Sequence, residues 1–291
     1  MKRIVLSTTS SSLEELNVPH NVEFLRFHIY INNVDFIDGK NINAERLNSI
    51  MLQSPAAASS TSPEAVEDIV KKFQELEQRG FTDVFVVTIS SAVSESYAHV
   101  LAAKAMYKGQ LNILVYDSKA AAIMEGALTF EADQLLKQGK SFTEIATRLD
   151  EIRRNCTALI TVSRLDYLIA NKKISTPAGF FANLFDIKPV IELTQQGELI
   201  PVKKVRSTEK SIEYIAKNFQ ALKQEKNAFI YILTCGDIDL NQYAANILSQ
   251  RYGMPNLPMI PTSSITTANH GPNMVGMGAF LGQPPLITQY V

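Results

Sequence analysis

The chain has 291 residues, enough for two domains or one large one. Its 46% hydrophobic and 20% charged residues are the balance of a globular protein, and a net charge of −1 argues against a broad surface for nucleic acid or anionic membrane. No stretch reaches the ~20 consecutive apolar residues that an integral membrane helix needs.

At the start, Lys2-Arg3 precedes only three apolar residues, Ile4-Val5-Leu6, too few for the apolar region of a signal peptide. The segment is expected to be a first β-strand, and the expected location is the cytoplasm. Ala58-Ser59-Ser60-Thr61-Ser62-Pro63 comes next as a helix opening, with Ser62 as cap and Pro63 in the first turn. Val66, Ile69, Val70, Phe73 and Leu76 then recur at helical spacing up to Gly80. The runs from Val84 to Ile89 and from Leu111 to Tyr116 suit parallel strands covered on both faces. Between them Ser90-Ser91 leaves a strand and Ser94 is placed to cap a helix. Ser141 and Glu144 make a capping-box pattern for a helix through Ile152.

Strand and helix alternate through this half, which argues for α/β architecture. After about residue 160 the texture changes. Val190–Leu193 and Leu199–Val202 flank Gln195-Gln196-Gly197, a hairpin signal, so this half is expected to hold a mixed sheet. The expected domains are 1–160 and 161–291. Cys156 and Cys235 both adjoin apolar runs and are expected to be reduced, buried thiols.

Hydroxyls and free N–H groups at helix starts are the ingredients of an anion site. A cap explains Ser62 and Ser94, but not the neighbouring Ser59-Ser60-Thr61 or the pair Ser90-Ser91. Ser90-Ser91 would lie at the carboxyl end of a strand, where open α/β sheets bind ligands. Asn269-His270-Gly271-Pro272 is read as a loop able to close over such a site. Lys204 and Arg206 share one face of an expected strand from Leu199, and the Arg206 guanidinium offers five donors to a carboxylate. No nucleophile elbow surrounds any of these serines, no histidine or carboxylate pair has metal spacing, and neither nucleotide-binding glycine motif occurs. No cofactor or metal is expected.

Taken in order, Asp38-Gly39, Ser59 to Pro63, Ser90-Ser91 with Ser94 and Tyr97, Tyr116 to Ala120, Leu165 to Ser175, Asp186 to Pro189, Lys204-Val205-Arg206, and Gly271-Pro272 with Gly276 and Gly278 resemble the DegV family of bacterial fatty-acid-binding proteins over essentially the whole length. The resemblance implies an N-terminal three-layer α/β/α domain with a parallel sheet and a C-terminal two-layer α/β domain with a mixed sheet. It implies a long-chain fatty acid held between them, its carboxylate near the serine loops and its chain in an apolar tunnel. It further implies a carrier without catalysis of its own, which presents the acid to a separate ATP-dependent kinase.

Departures from the family pattern cluster at the head-group positions. Ala58 replaces a threonine, Ala92 a glycine, Ser7-Thr8 an Asp-Ser, and Asn171-Lys172-Lys173 a Gly-Gly-Arg. Asn269 takes the place of the family's histidine, which moves one position on to His270, and Ser207 replaces a glycine after Arg206. The expected ligand residues are Ser59 and Ser91, then Ser90 and Arg206, with Asn269, His270 and Ser62 completing the site. Phe180, Phe181, Phe185, Ile265 and Met274 are the tunnel candidates. The rival reading is a serine-dependent acyl hydrolase or another α/β enzyme acting on a small anionic substrate.

Overall fold

The hydrophobic pattern produces two layered sheets with one long helix buried between them. The computed structural model describes residues 2–54, 57–175 and 187–291. Strand β1 (Lys2–Ser7) is followed by one helical turn, α1 (Leu13–Leu16), and a short strand, β2 (Glu23–Phe24). A hairpin of β3 (His28–Ile31) and β4 (Val34–Ile37) turns at Asn32-Asn33. Both asparagines have positive φ, 47° and 66°, as a two-residue primed turn requires. Helix α2 (Ala44–Gln53) is capped by Asn43, whose Oδ1 accepts the Arg46 N–H at 2.9 Å, and β5 (Ser59–Ser62) follows.

The first serine segment is therefore a strand, not a helix opening. It pairs antiparallel with β3, giving a small sheet of order β4-β3-β5, and supplies the ladder partners that β3 would otherwise lack. Helix α3 (Val66–Gln78) begins beyond it with Ala65 as N-cap, so Ser62 caps nothing. Its buried stripe, Ile69, Phe73 and Leu76, belongs to the expected periodicity.

Strands β6 (Phe81–Thr88) and β7 (Asn112–Asp117), on either side of α4 (Ser96–Met106), complete an all-parallel sheet of order β2-β1-β6-β7. Ser94 lies two residues before α4, and its Oγ accepts the Ser96 N–H at 3.2 Å. Alternation sends Ile4, Leu6, Val84, Val86 and Ile113 toward α3 and α4. Val5, Phe85 and Val87 face α5 (Ala122–Lys137) and α6 (Phe142–Arg154) instead. This is the expected three-layer unit, and the Ser141–Glu144 capping box is formed.

The second unit is built on β8 (Cys156–Val162), with the short helix α7 (Asp166–Ala170) after it. Then come β9 (Val190–Leu193), β10 (Leu199–Lys203), α8 (Thr208–Leu222), β11 (Phe229–Thr234), α9 (Ile238–Tyr252), β12 (Met259–Pro261), α10 (Ser264–His270) and β13 (Met274–Phe280). The sheet order is β10-β9-β8-β13-β11-β12, with β11–β12 parallel and the other pairs antiparallel. The sheet is mixed, as expected, and the β9–β10 hairpin turns at Gly197 with φ 83°. A division at residue 160 falls inside β8, all of whose residues pair with β13. Strand β10 stops at Lys203, so Lys204 and Arg206 share no strand face; Arg206 is exposed in the bend before α8.

Helices α8 and α9 cover one face of this sheet. The other face, with Ala158, Val162, Ile191, Leu233, Met274 and Phe280, packs in the same core as α5. Helix α5 thus serves both sheets, and 13 of its 16 residues are buried. Gly276 and Gly278 lie in register with Met274 and Phe280 on that face, and a Cβ at Gly278 would stand 2.3 Å from the Tyr231 ring. Among the described residues no helix is long and apolar enough to cross a membrane.

Candidate ligand-binding slot

Where the start of α5 meets the inner face of the second sheet, the packing leaves a slot of about 850 Å³ counted to its mouth. Its wall is mainly aliphatic. Ile123 and Met124 come from α5, Ala158 and Ile160 from β8, and Leu193, Leu199, Leu233 and Met274 from β9, β10, β11 and β13. Ala158 and Ile160 are two apart on one strand and so present the same face.

The polar groups on the wall are few. Thr61 comes from β5, Ser94 from the β6–α4 loop, Lys173 from the segment after α7, and Thr262, Thr266, Asn269 and His270 from one face in and before α10. Asn269 Nδ2 donates to Thr61 Oγ1 at 3.2 Å and to the Ile265 carbonyl at 2.8 Å, tying β5 to α10. Lys173 Nζ donates to the Val93 carbonyl at 2.7 Å. Burial holds the Lys173 ammonium below the ordinary lysine range, because the charged form loses solvation. His270 Nδ1 stands 2.6 Å from the Gly271 carbonyl, while its Nε2 is buried with no partner among the described residues. Burial pulls this imidazole down to about 4, so it is neutral near neutral pH.

Of the seven expected ligand residues the slot wall includes Asn269 and His270. They are the last two residues of α10, not a loop. The tunnel candidates Ile265 and Met274 also line it; Phe180, Phe181 and Phe185 lie outside the described residues. Ser59 is buried with an unpartnered Oγ and shares a strand face with Thr61, but does not itself reach the wall. Ser62, one strand position away, faces the opposite side and donates to the Pro63 carbonyl at 3.3 Å.

The second serine pair is engaged elsewhere. Ser90 Oγ donates to the Gly197 carbonyl at 2.8 Å and accepts the Ala92 N–H at 3.2 Å, clasping the β9–β10 hairpin to the first unit. A Cβ on Gly197 would fall 2.1 Å from Ser90 Oγ, which explains the glycine. Ser91 is exposed, with its Oγ donating to Asp117 Oδ2 at 2.6 Å and its N–H to Oδ1 at 3.1 Å. Its one hydroxyl proton is held by a carboxylate, and that negative charge opposes a second carboxylate there. Arg206 is exposed and is not part of the wall.

The sequence alone does not mark Lys173 or Thr61 as ligand residues. Lys173 is half of a Lys-Lys pair at the altered Gly-Gly-Arg position. Thr61 stands in a run whose serines and proline suggest a helix start, although it pairs as a strand.

The model of the DegV family, described as an uncharacterised protein family, matches residues 2–281. The chain belongs to the DegV family. A Thermotoga maritima relative of the family, named a fatty acid-binding protein, is 28% identical over 234 residues, covering 78% of this chain and 79% of its own. Solved DegV structures share the fold. The fatty acid binding DegV protein of Streptococcus agalactiae superposes with a TM-score of 0.82 at 21% identity, covering 97% of this chain and 100% of its own. A stearic acid-binding protein of Eubacterium ventriosum gives 0.80 at 21% identity, with 97% and 98% covered.

A broader open chamber lies on the other side of Thr262, lined by Glu14, Glu15, Asp38 and Glu45. Burial pushes Glu15 up to about 7 and Asp38 up to about 6. Its acidic lining does not suit an anionic lipid. Among the described residues no group of three or more His, Cys, Asp or Glu side chains is placed to hold a metal ion.

Proposed function

We propose that this chain binds one long-chain fatty acid in the slot, with the carboxylate against Lys173 and the acyl chain among Ile123, Met124, Ile160, Leu193, Leu233 and Met274. The observation that carries this is a mainly aliphatic slot that has, among the described residues, Lys173 as its one lysine. Burying each CH₂ contributes roughly 0.8 kcal/mol, so a long chain supplies ample binding energy even after ordering costs. The fatty-acid-binding relatives in the same family support the same ligand class.

The protein acts as a carrier, handing the carboxylate to a separate ATP-dependent kinase. In support of a binding role, no serine hydroxyl among the described residues is hydrogen-bonded to a histidine ring nitrogen, and Ser90 and Ser91 are held by Gly197 and Asp117. The exposed Lys203 and Arg206 beside α8 offer a basic contact for the kinase. Native mass spectrometry of the purified protein should show one bound monocarboxylic acid per chain. Delipidated protein that takes up no saturated or unsaturated long-chain acid in a fluorescence displacement assay would refute the proposal.

A further inference from the structure

Ser90 is fully buried and does not line the slot, yet it stands between two stretches that do. Ile89, Val93 and Ser94, from the loop after β6, form one side of the wall. Leu193 and Leu199, which flank the β9–β10 turn, form another. The 2.8 Å hydrogen bond from Ser90 Oγ to the Gly197 carbonyl joins the two. Its partners are unequally held. The Ser90 N–H donates to the Ala120 carbonyl at 2.9 Å, and the Ser90 carbonyl accepts from the N–H groups of Val93 and Ser94, both at 3.1 Å. The hairpin is looser. Strand β10 is the edge of its sheet, its register with β9 breaks between Pro201 and Lys203, and none of its residues is fully buried. Beyond β9 its backbone takes one bond from the Ser175 N–H to the Leu199 carbonyl, at 2.9 Å. Gln195 ties the far arm of the turn to β8 and α6: its Nε2 donates to the Cys156 carbonyl and its carbonyl accepts from Arg153 Nη1, both at 3.1 Å.

Resting on the fatty-acid reading above, we infer that the β9–β10 hairpin is the flap through which the acid enters and leaves the slot, and that the Ser90–Gly197 bond is its latch. The deep wall is closed: Ile123, Leu168 and Met274 are each 1% exposed. Leu193 and Leu199 are half-buried, so the hairpin side lies nearest to solvent. Swinging the turn away from Ser90 carries both leucines off the acyl chain together, while the Ser90 loop stays in place. Water then satisfies the freed hydroxyl and carbonyl, so opening costs only the small net worth of one neutral hydrogen bond at this point. An edge hairpin with few buried contacts is the kind of element that opens locally. Gly197 is fitted to the closed position, with φ 83° and room for no Cβ, which would fall 2.1 Å from Ser90 Oγ. Ser90 is thus a positioning residue, which holds the wall and does not touch the ligand.

The test is stopped-flow uptake and release of cis-parinaric acid, a fluorescent long-chain acid, by delipidated protein. Ser90→Ala removes the latch from the free and the loaded protein alike. Uptake and release should therefore both quicken about fivefold, the equivalent of one net hydrogen bond of roughly 1 kcal/mol, with Kd kept within twofold. Gly197→Ala, which forces the latch apart and leaves the hydroxyl, should do the same. The double variant should be no faster than the faster single one, because both changes break one contact. If Gly197→Ala does not fold, the two rates of Ser90→Ala decide alone. Three results would overturn the inference. One is unaltered rates in Ser90→Ala. Another is faster release with unchanged uptake, and so a weaker Kd, which would make Ser90 a support of the bound ligand. The third is a double variant whose rates multiply, which would place the two residues in separate contacts. Failure of the unaltered protein to bind any long-chain acid would instead refute the fatty-acid reading.

Discussion

Replacing Lys173 by methionine removes the slot's cation while keeping most of the side chain's aliphatic bulk. A hydrogen bond to a charged group is worth about 1.5–3 kcal/mol, and 1.4 kcal/mol is a factor of ten. Affinity for palmitic acid should therefore fall by about tenfold to a hundredfold. Lys173 also donates to Val93 and so steadies the β6–α4 loop, and losing that contact affects any ligand. Methyl palmitate isolates the loop effect, because it has the chain without the charge. Its affinity should drop far less than that of the acid. The pH dependence gives a second check. Burial depresses the Lys173 ammonium in the free protein, and a bound carboxylate favours the charged form. Affinity for the acid should thus decline as alkaline pH deprotonates Lys173, before an ordinary lysine would titrate. The ester's affinity should stay flat, as should that of the acid for the methionine variant. Equal losses for acid and ester in a displacement titration, or an unaltered pH profile, would show that the carboxylate lies elsewhere.

Glu125, fully buried on α5, accepts from Thr9 Oγ1 at 2.9 Å and is raised by burial to about 8. A raised carboxyl contributes its stability below the unfolded value near 4.5 and loses it as pH rises through 8, a penalty of roughly 3 kcal/mol at pH 7. Glu125→Gln should flatten the stability–pH curve between those values in urea titrations; a parallel shift would contradict this. Ser90→Ala should cost about 1–2 kcal/mol by leaving the buried Gly197 carbonyl unpaired, and hydrogen exchange should quicken at the β9–β10 turn rather than uniformly. Arg206→Glu should leave fatty-acid affinity within twofold while acyl-phosphate formation by a partner kinase falls; a matching loss of affinity would return Arg206 to the ligand site.

Elements whose signal is local were legible before folding. The α3 stripe, the Ser141–Glu144 box and the Gln195-Gln196-Gly197 hairpin each depend on residues close in sequence, and each formed. The alternation of Ile4 and Leu6 against Val5 likewise determined which residues face each helical layer, because side-chain direction repeats every second residue. The family resemblance led to the right fold although individual head-group positions had diverged.

Tertiary contact decided the rest. Ser59–Ser62 resembles a helix start because serine and proline favour caps, yet pairing with β3, about thirty residues away, outweighs that preference. Helix α5 has almost no polar face to mark it, since sheets lie on both sides of it. The site residues show the same division. The hydroxyl chemistry of Ser90 and Ser91 is visible in the chain, but what those hydroxyls meet depends on Gly197 and Asp117, which only folding brings to them. Composition set the supply of donors, acceptors and apolar surface, and three-dimensional packing determined which of them line the slot.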